Sequence, residues 1–481
     1  MIGQKPVEEG AAVSTHQVRW PRRFAAGRNL ATAALLSGAG LLLAPALLAA
    51  QDVAGDLGFV LNTYSFLVWG VLVMWMCAGF TMLEAGSVRS KSASMICMKN
   101  IGLYAIAGLT YYVIGYNLMY VDVGSVIGSI SLLYGPSADE VALIGGNEGA
   151  AAAVTENGYA VMSDWFFQMV FVATTASIVS GALAERVKLW TFFVFVGGLT
   201  AVIYPIVGAW TWGGGWLGQM GFTDFAGSTI VHSTGGWAAL AGALVVGPRW
   251  GKYRKDGSIK PTPPSNIPAV TLGVFILWMG WFGFNGGSEL ALSGVVNAVS
   301  MSNILVNTNL AAGAGVITAL CLSRSILGRV DLFATLNGAI SGMVAITAGP
   351  NITNSLWAIL IGAIGSLLCM FGLKLLEVRR IDDVVGAVPA HLFAGVWGTL
   401  ATCIAAGGDF VVQLTGVAAI GAFVFSISWI LWTVLDRTLG VRVSRSVESI
   451  GQDAAELGID AYPEFILMVD PDDDNDFRDA D

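Results

Sequence analysis

The 481-residue chain is 55% apolar and only 12% charged, with a formal net charge of −9. Soluble globular chains carry about 25% charged residues, so half that share over this length excludes a disordered chain and argues against a soluble enzyme. Much of the acidic excess follows Met468, where seven Asp face the lone Arg478, and no basic surface is offered to nucleic acid.

The first fifty residues stand apart. Arg19, Arg22, Arg23 and Arg28 precede an apolar run, 31–50, which closes on small residues before Gln51 and Asp52. That is the layout of a secretory signal peptide. The run is longer than an ordinary signal core, so an uncleaved extra helix is the alternative. Both readings place residue 51 outside the cell. Beyond it, apolar stretches long enough to cross a bilayer, about 20 residues each, recur at 58–83, 99–120, 163–184, 189–212, 228–247, 269–287, 302–322, 331–348, 355–376, 387–405 and 411–435. They predict an all-α polytopic membrane protein of eleven transmembrane helices over residues 51–437, with a cytoplasmic tail over 438–481.

The basic residues test that count. With residue 51 outside, all 24 Lys and Arg fall in the leader, in alternate loops or in the tail, as cytoplasmic segments should. The expected topology is N-out and C-in. Arg89, Lys91 and Lys99 are assigned to the first inner loop on this basis.

Past the leader the chain has two histidines, His232 and His391, each inside a predicted helix and each eight residues after an Asp, Asp224 and Asp383. Eight residues rise about 12 Å along a helix. Predicted helix five starts outside and helix ten inside, so both imidazoles are expected near the midplane, reached from opposite faces. An inverted repeat of helices 1–5 and 6–10, plus one further long helix, would produce this arrangement, with its special residues between the halves. A lone membrane His is as often a packing residue as a functional one. Two at matched depth favour function. Without a third ligand at that depth a metal site is not expected, and no cofactor is implied. A neutral pair, one ring N–H donating to the other ring's bare nitrogen, suits proton handling.

Aromatics and glycines gather at the expected outer helix ends. Trp212 is followed by Gly213, Gly214 and Gly215. Helix six closes in Trp281-Phe282-Gly283-Phe284-Asn285-Gly286-Gly287-Ser288, and helix three opens in Trp165-Phe166-Phe167-Gln168 and reaches Phe171. Interfacial Trp is ordinarily a membrane anchor. Neighbouring glycines let a ligand approach, and aromatic faces attract small cations by about 0.5–2 kcal/mol.

These residues carry a resemblance. The run Asp224-Phe225-Ala226-Gly227-Ser228-Thr229-Ile230-Val231-His232 is similar to the fifth-helix signature of the ammonium transporter (Amt/MEP/Rh) family. Gly181-Ala182-Leu183-Ala184-Glu185-Arg186, the segment Trp281 to Ser288, and Asp382-Asp383 through His391 to Trp397-Gly398 resemble further motifs in the family's order. The likeness covers roughly residues 55–465 and is of the bacterial Amt type. It implies a homotrimer with one pore per subunit in the bacterial inner membrane. It also implies an outer ammonium site of Trp212, Phe171 and Ser288, with Phe167 as a further wall of the vestibule. Phe171 and Phe284 would form a stacked gate, His232 and His391 the pore pair, and Asp224 a structural support. The stretch from Gly440 to Tyr462 resembles the regulatory tail, so a PII-type signal protein is an expected partner at the cytoplasmic face. Two positions depart from the pattern or stand out. Gly386 lies five positions before His391, where many members carry an acid. Glu289 places a charge beside Ser288.

The mechanism so implied is capture of ammonium, loss of its proton at the gate, and conduction of ammonia past the histidines, with or without the proton following. An ammonium sensor of low flux, or a channel for another small neutral gas or amine, are the competing readings. No G-x-S-x-G or H-E-x-x-H motif supports an enzyme.

Overall fold

A computed structural model describes residues 29–463. The first 28 residues of the expected leader and the acidic end of the tail from residue 464 lie outside the described residues. The chain divides at Gly55, and the unit from Asp56 onward carries the features that follow.

Among the described residues, ten helices are long and apolar enough to cross a membrane: α1 Gly55–Ser87, α2 Ser90–Tyr120, α3 Val161–Ala182, α4 Leu189–Trp210, α5 Ser228–Val246, α6 Ile267–Gly287, α7 Val295–Ile326, α9 Ser355–Val378, α10 Val388–Ala405 and α11 Phe410–Thr438. The eighth expected stretch is also helical, but α8 is shorter, the 15 residues Leu332–Ile346. At 1.5 Å per residue it spans about 22 Å, less than a hydrocarbon core of about 30 Å. A short helix, α12 (Arg445–Ile450), follows in the tail.

Polar caps set several boundaries, as expected of helix starts. Asn266 accepts the Ala269 amide (2.9 Å) before α6, Asp331 that of Ala334 (2.9 Å) before α8, and Asp409 those of Val411 (2.8 Å) and Val412 (3.0 Å) before α11. One boundary differs from expectation. α2 begins at Ser90, so Lys99 is not in a loop but well inside the helix and 1% exposed. Hydropathy penalises a charge without seeing its surroundings, here the Ser180 carbonyl on α3 that accepts from Lys99 (2.9 Å) and the nearby carboxylate of Glu84 on α1.

The two halves cross at α5 and α10, and glycine sets how closely. Gly236 packs on Leu392 and Gly395 on Ser228; a Cβ added at Gly395 would lie 2.3 Å from the Ser228 carbonyl oxygen. Each glycine lies four residues after its histidine. The contacts descend α10 as they ascend α5, so the helices run antiparallel where they touch. Gly395→Val is therefore expected to lower the melting temperature of the solubilised protein, as overpacking costs about 1–3 kcal/mol. Gly313→Ala, a helical position with open space around it, should be neutral or slightly stabilising. Equal melting temperatures for the two variants would overturn the close-crossing account.

Candidate functional site

His232 and His391 sit on wide π-type turns, Ser228–Ser233 and Val388–Phe393, that open α5 and α10. Such turns are rare and gather at functional sites. Each is fixed by the carboxylate eight residues before the histidine. Asp224, 5% exposed, accepts four backbone amides. Its Oδ1 takes those of Gly227 (3.1 Å) and Ser228 (2.8 Å), and its Oδ2 those of Thr229 (2.8 Å) and Ile230 (2.9 Å). Asp383 accepts three, from Gly386 (3.0 Å), Ala387 (3.1 Å) and Val388 (2.7 Å). These are the unpaired donors of a helix start, where negative charge is also favoured. Burial pushes both carboxyls up, and the amides only partly pull them back.

Between cap and turn the chain needs a left-handed residue. Gly227 (φ 108°) and Gly386 (φ 78°) provide it. The departure at Gly386 thus has a backbone cause: it is the second half's counterpart of Gly227. The repeated unit is Asp, Gly three later, His eight later and Gly twelve later, in both halves.

The turns bring the two imidazoles together. Nδ1 of His391 lies 3.2 Å from Nδ1 of His232, with ring centroids 5.3 Å apart. Both rings are buried, at 0% and 3% exposure. His232 stacks on Trp281 (4.9 Å) and Phe284 (5.2 Å), and the Trp281 indole N–H donates to Thr347 Oγ1 (2.9 Å), which fixes that wall. His232 Nε2 has no protein partner.

On one side of the pair, Phe171 and Phe284 stack at 4.0 Å and 29°. Trp212 stands edge-on to Phe171 at 6.3 Å, its indole N–H held by the Asp224 carbonyl (2.8 Å). The Ser288 hydroxyl donates to the Phe284 carbonyl (2.8 Å), which leaves its lone pairs free to accept. Phe167 is 1% exposed, as Phe171 is, and the two rings pack at 4.8 Å. Glu289 is half-buried, its carboxylate accepting from Ser300 (2.7 Å). The result is an aromatic and imidazole column running Trp212, Phe171, Phe284, His232, His391.

The opposite end of the bundle is basic. Arg249 donates to Glu185 (2.8 Å) and to both oxygens of Asp382 (2.8 and 3.0 Å), while Arg89 also pairs with Glu185. Burial alone would raise the Asp382 carboxyl, but Arg249 and Arg186 hold it well below the usual carboxylate range. The tail docks here. Val443 donates to the Arg186 carbonyl (3.0 Å), Glu448 accepts from Arg442 (2.8 Å) and the Trp250 amide (2.6 Å), and Asp453 accepts the amides of Ser94 (2.9 Å) and Met95 (2.7 Å).

Sequence reasoning missed three parts of this site. The stacking of Trp281 on His232 is one. Glu84, buried at the end of α1, and its neighbour Lys99 are the others. A lone acid at the edge of an apolar stretch was the available signal.

Among the described residues, ten membrane-length helices around a buried aromatic and histidine column define a polytopic membrane protein whose two histidines meet where α5 and α10 cross. Residues 64–462 match the profile described as the Ammonium Transporter Family. The chain is 39% identical to ammonium transporter Amt2 of Archaeoglobus fulgidus over 83% of this chain and 88% of that one. It is 38% identical to a putative ammonium transporter of Synechocystis sp., over 84% and 89%. Among solved structures it resembles a protein titled Sensor Amt Protein (33% identity, TM-score 0.75, 83% of this chain and 99% of that one). It also resembles Mep2 of Candida albicans (26% identity, TM-score 0.68, 80% and 87%). The chain belongs to the ammonium transporter family, and its function is ammonium transport.

Proposed function

We propose that ammonium is captured beside Trp212, Phe171 and Ser288, loses its proton at the Phe171–Phe284 stack, and crosses as ammonia along His232 and His391. The observation that carries this is the phenyl stack, with centroids 4.0 Å apart, set directly on a buried histidine pair. Potassium and ammonium are alike in size and charge, so size cannot separate them. Only ammonium can shed its charge, and a bare cation in low dielectric costs far more than neutral ammonia. Aromatic faces and the Ser288 lone pairs favour the cation outside. The apolar column favours the neutral form inside.

The 3.2 Å separation of the two Nδ1 atoms has a further consequence. One must carry hydrogen and the other must not. The donor ring then has a bare Nε2 and the acceptor ring an Nε2–H, so a proton taken up at one end of the pair can leave at the other. The unpartnered His232 Nε2 is the proposed receiving atom.

The subunit is proposed to act within a homotrimer in a bacterial inner membrane, N-out and C-in with eleven spans and the leader removed. Its docked tail would form the face that meets a PII-type protein. Liposomes holding the protein should give a current on ammonium addition and none on potassium addition. Potassium current of equal size would overturn the reading. The likeness to the Sensor Amt Protein supports a second reading, sensing with low flux. Ammonia flux no greater than that of empty liposomes would favour it.

A further inference from the structure

Below His391, towards the basic end, lies a cavity lined by Phe80, Glu84, Ser177, Gly181, Asn337 and His391, among others. It has room for about one water molecule. Glu84 is 1% exposed. Its Oε2 is held, accepting from the Ser180 hydroxyl (2.7 Å) and the Asn100 amide (3.2 Å). Its Oε1 has no partner. That oxygen faces Gly181, where an added Cβ would sit 3.3 Å away, and Gly181 lines the same cavity. Lys99, equally buried, donates to the Ser180 carbonyl (2.9 Å) and is the neighbouring cation. Arg186 lies beyond it. A buried carboxylate oxygen is rarely left bare. Here one oxygen is anchored and the other points into a water-sized space shared with a histidine.

We propose that Glu84 is the proton acceptor that serves the histidine pair from the basic end, with Lys99 and Ser180 as positioning residues. The proposal rests on the histidine relay put forward above. His391 Nε2–H gives its proton to the cavity water as a proton of that water passes to Glu84 Oε1. This leaves a neutral imidazole and a carboxylic acid. Ammonia arriving in the cavity takes the proton from Oε1, a new N–H bond forms, and ammonium and the carboxylate are restored. No other reactant is needed. The anchored Oε2 keeps Oε1 aimed, and Lys99 balances the charge between turnovers.

The test compares ammonium-evoked currents in liposomes of wild-type protein, Glu84→Gln and Glu84→Ala. General acid–base groups contribute on the order of 100-fold or more, so both variants should lose current by about that factor. Formate, but not chloride, should restore the Glu84→Ala current by entering the enlarged cavity, a rescue that a merely structural role would not give. Wild-type current with an unchanged Glu84→Gln current overturns Glu84 and leaves the relay standing. Wild type that conducts ammonia without any current overturns both. Loss without formate rescue assigns Glu84 a structural role and overturns the proposal. In the unmutated protein, an ammonium pulse should raise a protonated-carboxyl band in the infrared difference spectrum. Its absence overturns the proposal even if neither variant folds.

Discussion

In His232→Ala, ammonium-evoked current should fall on the order of 100-fold or more, and potassium should remain excluded. His232 supplies one of the two nitrogens of the 3.2 Å contact and the only unpartnered Nε2 beneath the phenyl stack. Alanine removes both and leaves apolar walls of Trp281 and Phe284. A proton then has no group to land on, and general acid–base assistance of about 100-fold or more is lost. The barrier to bare cations stays, because entry into low dielectric costs several kcal/mol per ion even after relaxation. Currents from the two salts, recorded on the same liposomes, decide the point. Normal ammonium current with potassium still excluded ends the relay. New potassium current instead makes the ring a steric plug.

Asp224→Asn should destabilise the fold more than Asp383→Asn. Asp224 accepts four amides with both oxygens, Asp383 three. Asparagine keeps the size but turns one oxygen into an NH2 that donates towards amides that also donate. At Asp224 two bonds are lost in a site only 5% exposed. Hydrogen bonds to charged groups contribute about 1.5–3 kcal/mol each, so a loss of about 3–6 kcal/mol is expected. Thermal melts of the solubilised protein should rank wild type, Asp383→Asn, then Asp224→Asn. The reverse order of the two variants would mean that the caps do not hold the histidine turns.

Much of this was legible beforehand. Each predicted apolar stretch contains a helix at its place, since lipid-facing and core-facing residues alike must be apolar. The pairing of Asp224 with His232 and of Asp383 with His391 is visible as equal spacing. The glycines at three and twelve residues in that unit are equally readable, and they make Gly386 the counterpart of Gly227. Other parts were not legible. The stretch ending at residue 83 stopped one short of Glu84, because a hydropathy window scores a carboxylate by its type and not by its surroundings. Lys99 fell into a loop for the same reason. Their common link is Ser180, on a third helix, and no spacing rule joins residues on three helices.

A wire made of two like rings joined nitrogen to nitrogen has a memory. After one proton has crossed, the hydrogen between the rings has moved to the other partner, and the first ring's outer nitrogen is already occupied. It can take no second proton in the same direction. Both rings are buried, His232 against Trp281 and Phe284 and His391 near Phe80, so a ring that turned over would have to displace packed neighbours. Under the proposed relay the pair would have to be rewound before each new proton, so a reset would admit one proton at a time, as a ratchet tooth admits one click.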